Sequence, residues 1–341
     1  MKRKARTSLH HISSRILVVS LLLALLLSMI MLLAMCIGPA EQNFFRTIKG
    51  LIFGTLENSD KLIIYSIRIP RILMAAITGA ALSISGVVLQ ALLRNLLADP
   101  YVLGISGGAA TGAIIAILAG AGSIPFGIPG IAFLGGICTI CLVFGIAGKK
   151  NDVPPQNLLL AGVIVNAFFS AIIMFLLSIS NNTELRNIMF WLMGDLGMAE
   201  SHQIFIGLGS LLVGFVLMYT QARNLNLLVT GEETALQLGV NLDLTKILLL
   251  LTASLVTAVA VSLSGIIAFV GLMVPHIMRL LFGADHRLLL PSSLFGGAAF
   301  LIMADTASRV FLAPNELPVG VMTAFFGAPF FIYLLKKKEL R

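Results

Sequence analysis

The stretch 68–112, RIPRILMAAITGAALSISGVVLQALLRNLLADPYVLGISGGAATG, decides the fold class. Residues 72–93 carry no charge, and at about 1.5 Å of helical rise per residue they are long enough to cross the roughly 30 Å hydrocarbon layer of a bilayer. Arg68 and Arg71 precede this run and Arg94 follows it. Asn95-Leu96-Leu97-Ala98-Asp99-Pro100 then reads as a polar elbow, because proline lacks a backbone donor and suits a first helical turn. A second apolar run opens at Tyr101, so the whole stretch predicts a membrane hairpin. Gly104, Gly108 and Gly112 recur every fourth residue. On a helix they form one smooth stripe where a second backbone can approach, the packing that holds helices together in lipid.

The rest of the composition agrees. Of the 341 residues 58% are hydrophobic and 11% charged, with a mean hydropathy of +1.01; no soluble core can hide that much apolar surface. The net charge of +8 is distributed over short loops and the two ends of the chain, the pattern that orients membrane proteins, and no basic face with base-reading residues marks a nucleic-acid partner. Cys36, Cys138 and Cys141 lie in apolar runs without further metal ligands nearby and read as small buried apolar residues.

Apolar runs predict about ten spans. They cover 16–37, 72–93, the run after Tyr101, 130–148, 158–178, 204–219, 247–263, 266–281, 288–307 and 319–335. The first follows Lys2, Arg3, Lys4, Arg6 and Arg15 and outruns a signal-peptide core, so it reads as a retained span. Clustered Lys and Arg put both termini in the cytoplasm. Residues 38–67 form an outer connection, and Trp191 stands in an outer segment that suits an interfacial ring. The expected architecture is an all-α polytopic membrane protein forming a single transmembrane domain over residues 1–341.

Ser83-Ile84-Ser85-Gly86-Val87-Val88 echoes Ser262-Leu263-Ser264-Gly265-Ile266-Ile267. Five spans separate the copies, which predicts an inverted repeat of spans two to five on spans seven to ten. The cytoplasmic segment 225–243 holds a second signal. Thr230 and Glu233 fit a capping box and Gly239 a left-handed helix end, predicting a short helix over about 230–239 outside the bilayer. Ala235 and Leu236 would face a partner while Glu232 and Gln237 stay wet.

These residues resemble a known family. Arg68-Ile69-Pro70-Arg71, Asn95-Leu96-Leu97-Ala98-Asp99-Pro100, Gly231-Glu232-Glu233, Leu238-Gly239-Val240, Val274-Pro275-His276, Asp285-His286-Arg287 and Glu316-Leu317-Pro318-Val319-Gly320 are similar to motifs of the FecCD-type permeases of ATP-driven importers for ferric siderophores, haem and cobalamin. Members usually carry proline where Leu96 stands. The resemblance runs from Arg68 to the C-terminus. It implies a permease in the cell membrane that pairs with a second copy or paralogue, with two ATP-binding subunits inside and a substrate-binding protein outside. It also implies that the 230–239 helix, through Thr230, Glu232, Glu233, Ala235, Leu236 and Gly239, couples to the ATP-binding subunits, and that Asn95 and Leu97 lie near a cytoplasmic gate. Arg68, Arg71 and Arg309 would form a basic outer rim for the binding protein. Ferric siderophore is the expected cargo on family breadth, with cobalamin and haem as alternatives.

No catalytic set emerges. The chain lacks a G-x-x-x-x-G-K-[ST] loop, so ATP and its hydrolysis belong to a partner subunit and the chain itself binds no cofactor. His276 has no second ligand at metal-binding spacing and reads as structural. Asp305 and Arg309 stand four apart on one helical face and predict a pair at the outer end of the ninth span. An ion-coupled secondary transporter, the rival class, would carry titratable groups in the middle of spans two to five, and these have none.

Overall fold

The computed structural model describes residues 2–38, 58–148, 155–197 and 199–339. Residues 39–57 of the expected outer connection, the basic turn 149–152 and the side chains of the basic tail 2–13 lie outside that description. The described residues are helical, with no strand among them. Ten apolar helices follow where spans are expected: α1 (Lys2–Cys36), α2 (Ile69–Leu92), α3 (Ile105–Leu118), α4 (Gly127–Ala147), α5 (Pro155–Ile179), α6 (Ser201–Thr220), α7 (Leu242–Ser264), α8 (Val270–Phe282), α9 (His286–Val310) and α10 (Val319–Glu339). Seven are long and apolar enough to cross a membrane, whereas α3, α8 and the apolar part of α10 are shorter.

Helix α2 is the axis of the fold, because its small residues Gly79, Ala80, Ser83 and Gly86 let other helices come close, the packing that holds helices together in lipid. It packs against α9, α7, α8 and α6, and nearly all its residues are buried. Two of these contacts are backbone to backbone. A Cβ on Gly79 would overlap the Gly297 carbonyl of α9, and one on Gly86 the Gly271 carbonyl of α8. Helix α1 lies outside this core along α9, with Ala34 and Cys36 buried. Contrary to expectation, Cys138 and Cys141 are exposed on the outer surface of α4.

The order of a long helix followed by a short one in α2–α3 recurs in α7–α8, and α2 and α7 run antiparallel. Ile77 and Leu263 both face Gly207, while eight residues further along α2 the Ser85 hydroxyl donates to the Ala253 carbonyl at 3.2 Å. The six-residue echo itself adopts two structures: it stays helical in α2, whereas in its second copy the helix ends at Ser264 and Gly265 takes φ +70°.

The hairpin differs from its expected form. Helix α3 begins at Ile105 rather than Tyr101, and its 14 residues span only about 21 Å. The elbow fills the remaining depth by folding back into the protein, so that the Pro100 ring lies against Gly271, itself level with Gly86. Gly104 therefore caps α3 with φ +73° instead of lying on its stripe, and Gly108 and Gly112 alone seat α3 on α4. The break between α7 and α8 is equally internal. Irregular backbone at this depth needs protein partners. Tyr101 supplies them: its hydroxyl donates to Ile267 O at 3.0 Å and accepts from Ile267 N–H at 3.1 Å.

Candidate coupling site

Beyond α6 the chain forms two short helices, Ala222–Thr230 and Glu232–Gln237. The first is amphipathic and buries Ala222, Leu225 and Leu228. It remains helical through Thr230, whose hydroxyl donates to the Leu227 carbonyl at 2.7 Å. The expected capping role of Thr230 is thereby corrected. The residue before the second helix is instead Gly231, at φ +136° and ψ 144°, a positive-φ conformation that favours glycine, and it gives no side-chain cap. The far end matches expectation. Gly239 sits at φ +82° and donates to Leu236 O, and Val240 donates to Ala235 O, the paired bonds of a Schellman ending.

The faces of the second helix are also reassigned. Ala235 is fully buried against its own chain, while Leu236 and the adjacent Leu238 are 56% and 59% exposed outside the apolar spans. Glu233 and Gln237 are exposed. Glu232 stays partly exposed but is tied to its own chain: one carboxylate oxygen lies 2.6 Å from Lys246 Nζ at the start of α7, and the other 3.3 Å from Arg94 Nη2.

Arg94 is where the chain leaves α2, and it adopts φ +47°, a left-handed conformation that costs a non-glycine residue roughly 1–2 kcal/mol. Its guanidinium also approaches the Leu228 carbonyl at 3.4 Å. Asn95 accepts from Leu97 N–H at 2.9 Å, an Asx turn that leaves Leu96 and Leu97 about half exposed. A second tie runs through Asn226. It donates to Asp285 Oδ1 at 2.8 Å, and its carbonyl oxygen accepts from His286 N–H at 2.9 Å. Burial raises the Asp285 carboxyl, but hydrogen bonds from Arg287 and Asn226 outweigh it and hold the group down at about 2. Sequence reading missed Arg94, Asn226 and Lys246 as members of this site. Their partners lie far along the chain, and only the proximity of Asp285 to a helix start gave a signal.

At the opposite end the expected outer rim is corrected. Arg68, Arg71 and Arg309 are 3%, 8% and 3% exposed. Arg71 lies between Asp305, at 2.8 Å, and Glu316. Arg309 meets the other Asp305 oxygen at 3.1 Å, which agrees with the expected pair. Arg68 and Arg309 additionally donate to Met35 O and Ile37 O, capping the end of α1. The arginines are engaged by their own chain because a guanidinium at membrane depth must be paired. His276 is edge-on to Phe330 and Phe331, and among the described residues no three His, Cys, Asp or Glu side chains converge as metal ligands.

The model of the FecCD transport family aligns with residues 24–337. The chain belongs to that family. A cobalamin import system permease protein, BtuC, from Halobacterium salinarum is 45% identical over 291 residues, covering 85% of this chain and 78% of the relative. The hemin transport system permease protein HmuU of Yersinia pestis is 39% identical, with 92% and 95% covered. A solved structure described as an inward-facing conformation of a metal-chelate type ABC transporter superposes with a TM-score of 0.80 at 32% identity, over 93% of this chain and 98% of that one. This FecCD chain is thus a multi-pass ABC importer permease, a transport subunit of a family that works with ATP-binding subunits and a binding protein.

Proposed function

We propose that this permease carries a metal–organic chelate from an external binding protein into the cytoplasm, as one of two permease chains above two ATP-binding subunits, with both termini on the cytoplasmic side. The observation that carries this reading is the short helix Glu232–Gln237, closed by a Schellman ending at Gly239 and presenting Leu236 and Leu238 outward while Glu232 ties it to α7 and the elbow. Such a helix is suited to receive a partner and pass its displacement to the spans. Our order of cargoes is cobalamin, then haem, with ferric siderophore in the same chelate class; relatives named for cobalamin and hemin import support it.

The test is uptake of labelled cobalamin, haem and ferric siderophore into liposomes holding the permease with its ATP-binding subunits and binding protein. ATP-dependent accumulation of one of them is expected. Accumulation driven by an ion gradient without ATP would sink the reading. Leu236→Asp should remove the ATP-binding subunits on co-purification. Gly239→Val, which forces a β-branched residue to φ +82°, should distort the helix end and lower uptake at least tenfold, a loss of about 1.4 kcal/mol in coupling. Normal transport by a well-expressed Gly239→Val protein would count against the coupling role.

A further inference from the structure

We propose that Arg94 is a positioning residue through which movement of the Glu232–Gln237 helix reaches the elbow that carries Leu96 and Leu97; this rests on the coupling role just proposed for that helix. Glu232 is the first residue of the helix, and its two carboxylate oxygens divide between Arg94 Nη2 at 3.3 Å and Lys246 Nζ at 2.6 Å. The helix therefore holds the elbow following α2 with one oxygen and the start of α7 with the other. These are the two central antiparallel helices of the fold, so one carboxylate joins both halves of the chain.

The elbow is built to respond to a pull at this point. Its backbone leaves the helical path at Arg94, in the left-handed region, and it contains no α-helix between Leu92 and Ile105. Its far end is fixed, because the Tyr101 hydroxyl is bonded to both backbone groups of Ile267 and Pro100 is wedged against Gly271. Between the fixed end and Arg94 lie the half-exposed Leu96 and Leu97. Displacing Arg94 with Tyr101 anchored changes the course of that segment, and with it the position of both leucines.

The Arg94 side chain is 47% exposed and that of Glu232 35%, so the pair adds little to stability. A role in coupling is for that reason separable from a role in folding. The variants are made in the full complex, reconstituted with ATP-binding subunits and binding protein. Arg94→Asn is the informative change, since asparagine tolerates left-handed backbone but cannot reach Glu232. It should keep the ATP-binding subunits on co-purification and the wild-type melting temperature, while uptake per ATP hydrolysed falls about tenfold, within the range of a coupling energy between sites. Arg94→Lys should recover most of the loss. Arg94→Asn combined with Glu232→Gln should be no worse than Glu232→Gln alone, because that change already removes the Arg94 link along with the Lys246 ion pair.

Unchanged uptake per ATP in Arg94→Asn overturns the proposal. So does a defect that Arg94→Lys fails to relieve, which would make the elbow backbone rather than the charge responsible. Loss of the ATP-binding subunits from Arg94→Asn overturns it in favour of direct docking. Failure of the underlying coupling reading is seen separately, as a Leu236→Asp complex that keeps its ATP-binding subunits.

Discussion

Asp305→Ala should abolish recovery of a monodisperse, folded permease. Asp305 is fully buried, and its two oxygens neutralise Arg71 and Arg309, both at most 8% exposed. Removing one partner of a buried ion pair costs about 3–5 kcal/mol, since the remaining charge is left without compensation. Here two guanidinium groups lose their shared partner at once. The expected loss is a large part of the roughly 5–15 kcal/mol that holds a folded protein together. Glu316→Gln provides the contrast. That side chain is 42% exposed, so water replaces much of what Arg71 loses and the cost should be no more than about 1 kcal/mol. Thermal unfolding of the purified proteins in detergent distinguishes the two. An Asp305→Ala protein that melts with wild type would show that water reaches this cluster and that its burial is not maintained. The same geometry governs charge reversal at Arg68 and Arg71. Glutamates there would face Asp305 and the carbonyl end of α1, so a fall in binding-protein association would report on folding before it reported on an outer rim.

What the sequence made legible follows from how local each signal is. That α2 spans the membrane could be read because the absence of charge over 72–93 is a property of one segment, but its central place could not, since lipid covers an apolar helix as well as protein does and the equally uncharged part of α1 after Arg15 lies outside the core. Gly239 could be read because a left-handed helix end is set by neighbouring bonds. The inward fold of the elbow could not. Asn95, Asp99 and Pro100 announce a turn, but its depth is decided by Gly271 and Ile267, more than 160 residues away, which receive Pro100 and Tyr101. The outer arginines were misplaced for the same reason. A charge at a helix end looks the same whether it meets water or a carboxylate, and Asp305 lies 234 residues from Arg71. Thr230 shows the converse failure: Thr-x-x-Glu is a local pattern, yet the amphipathic helix before it carries its backbone past the point where a cap would begin.

Gly79→Ala and Gly297→Ala should each destabilise the permease severely, and the two losses should not add. The contact between α2 and α9 is reciprocal: a Cβ on Gly79 would enter the Gly297 carbonyl, and a Cβ on Gly297 would enter the Gly79 carbonyl. Neither obstacle is a flexible side chain that can turn away. Each methyl group forces the helices apart along the buried α2–α9 seam, and the Leu301 and Ser83 side chains packed beside the two glycines lose contact as well. Overpacking of a core typically costs about 1–3 kcal/mol, and backbone obstruction puts each variant at about 3 kcal/mol. Once one methyl has moved the helices apart, the second meets a gap that already exists. The double variant should therefore fall short of the sum by about 1 kcal/mol or more, a coupling within the range for residues in direct contact. Unfolding titrations of the wild type, both single variants and the double variant give the cycle. Losses of a few tenths of a kcal/mol, or strict additivity, would mean that α2 and α9 are not held in backbone contact here.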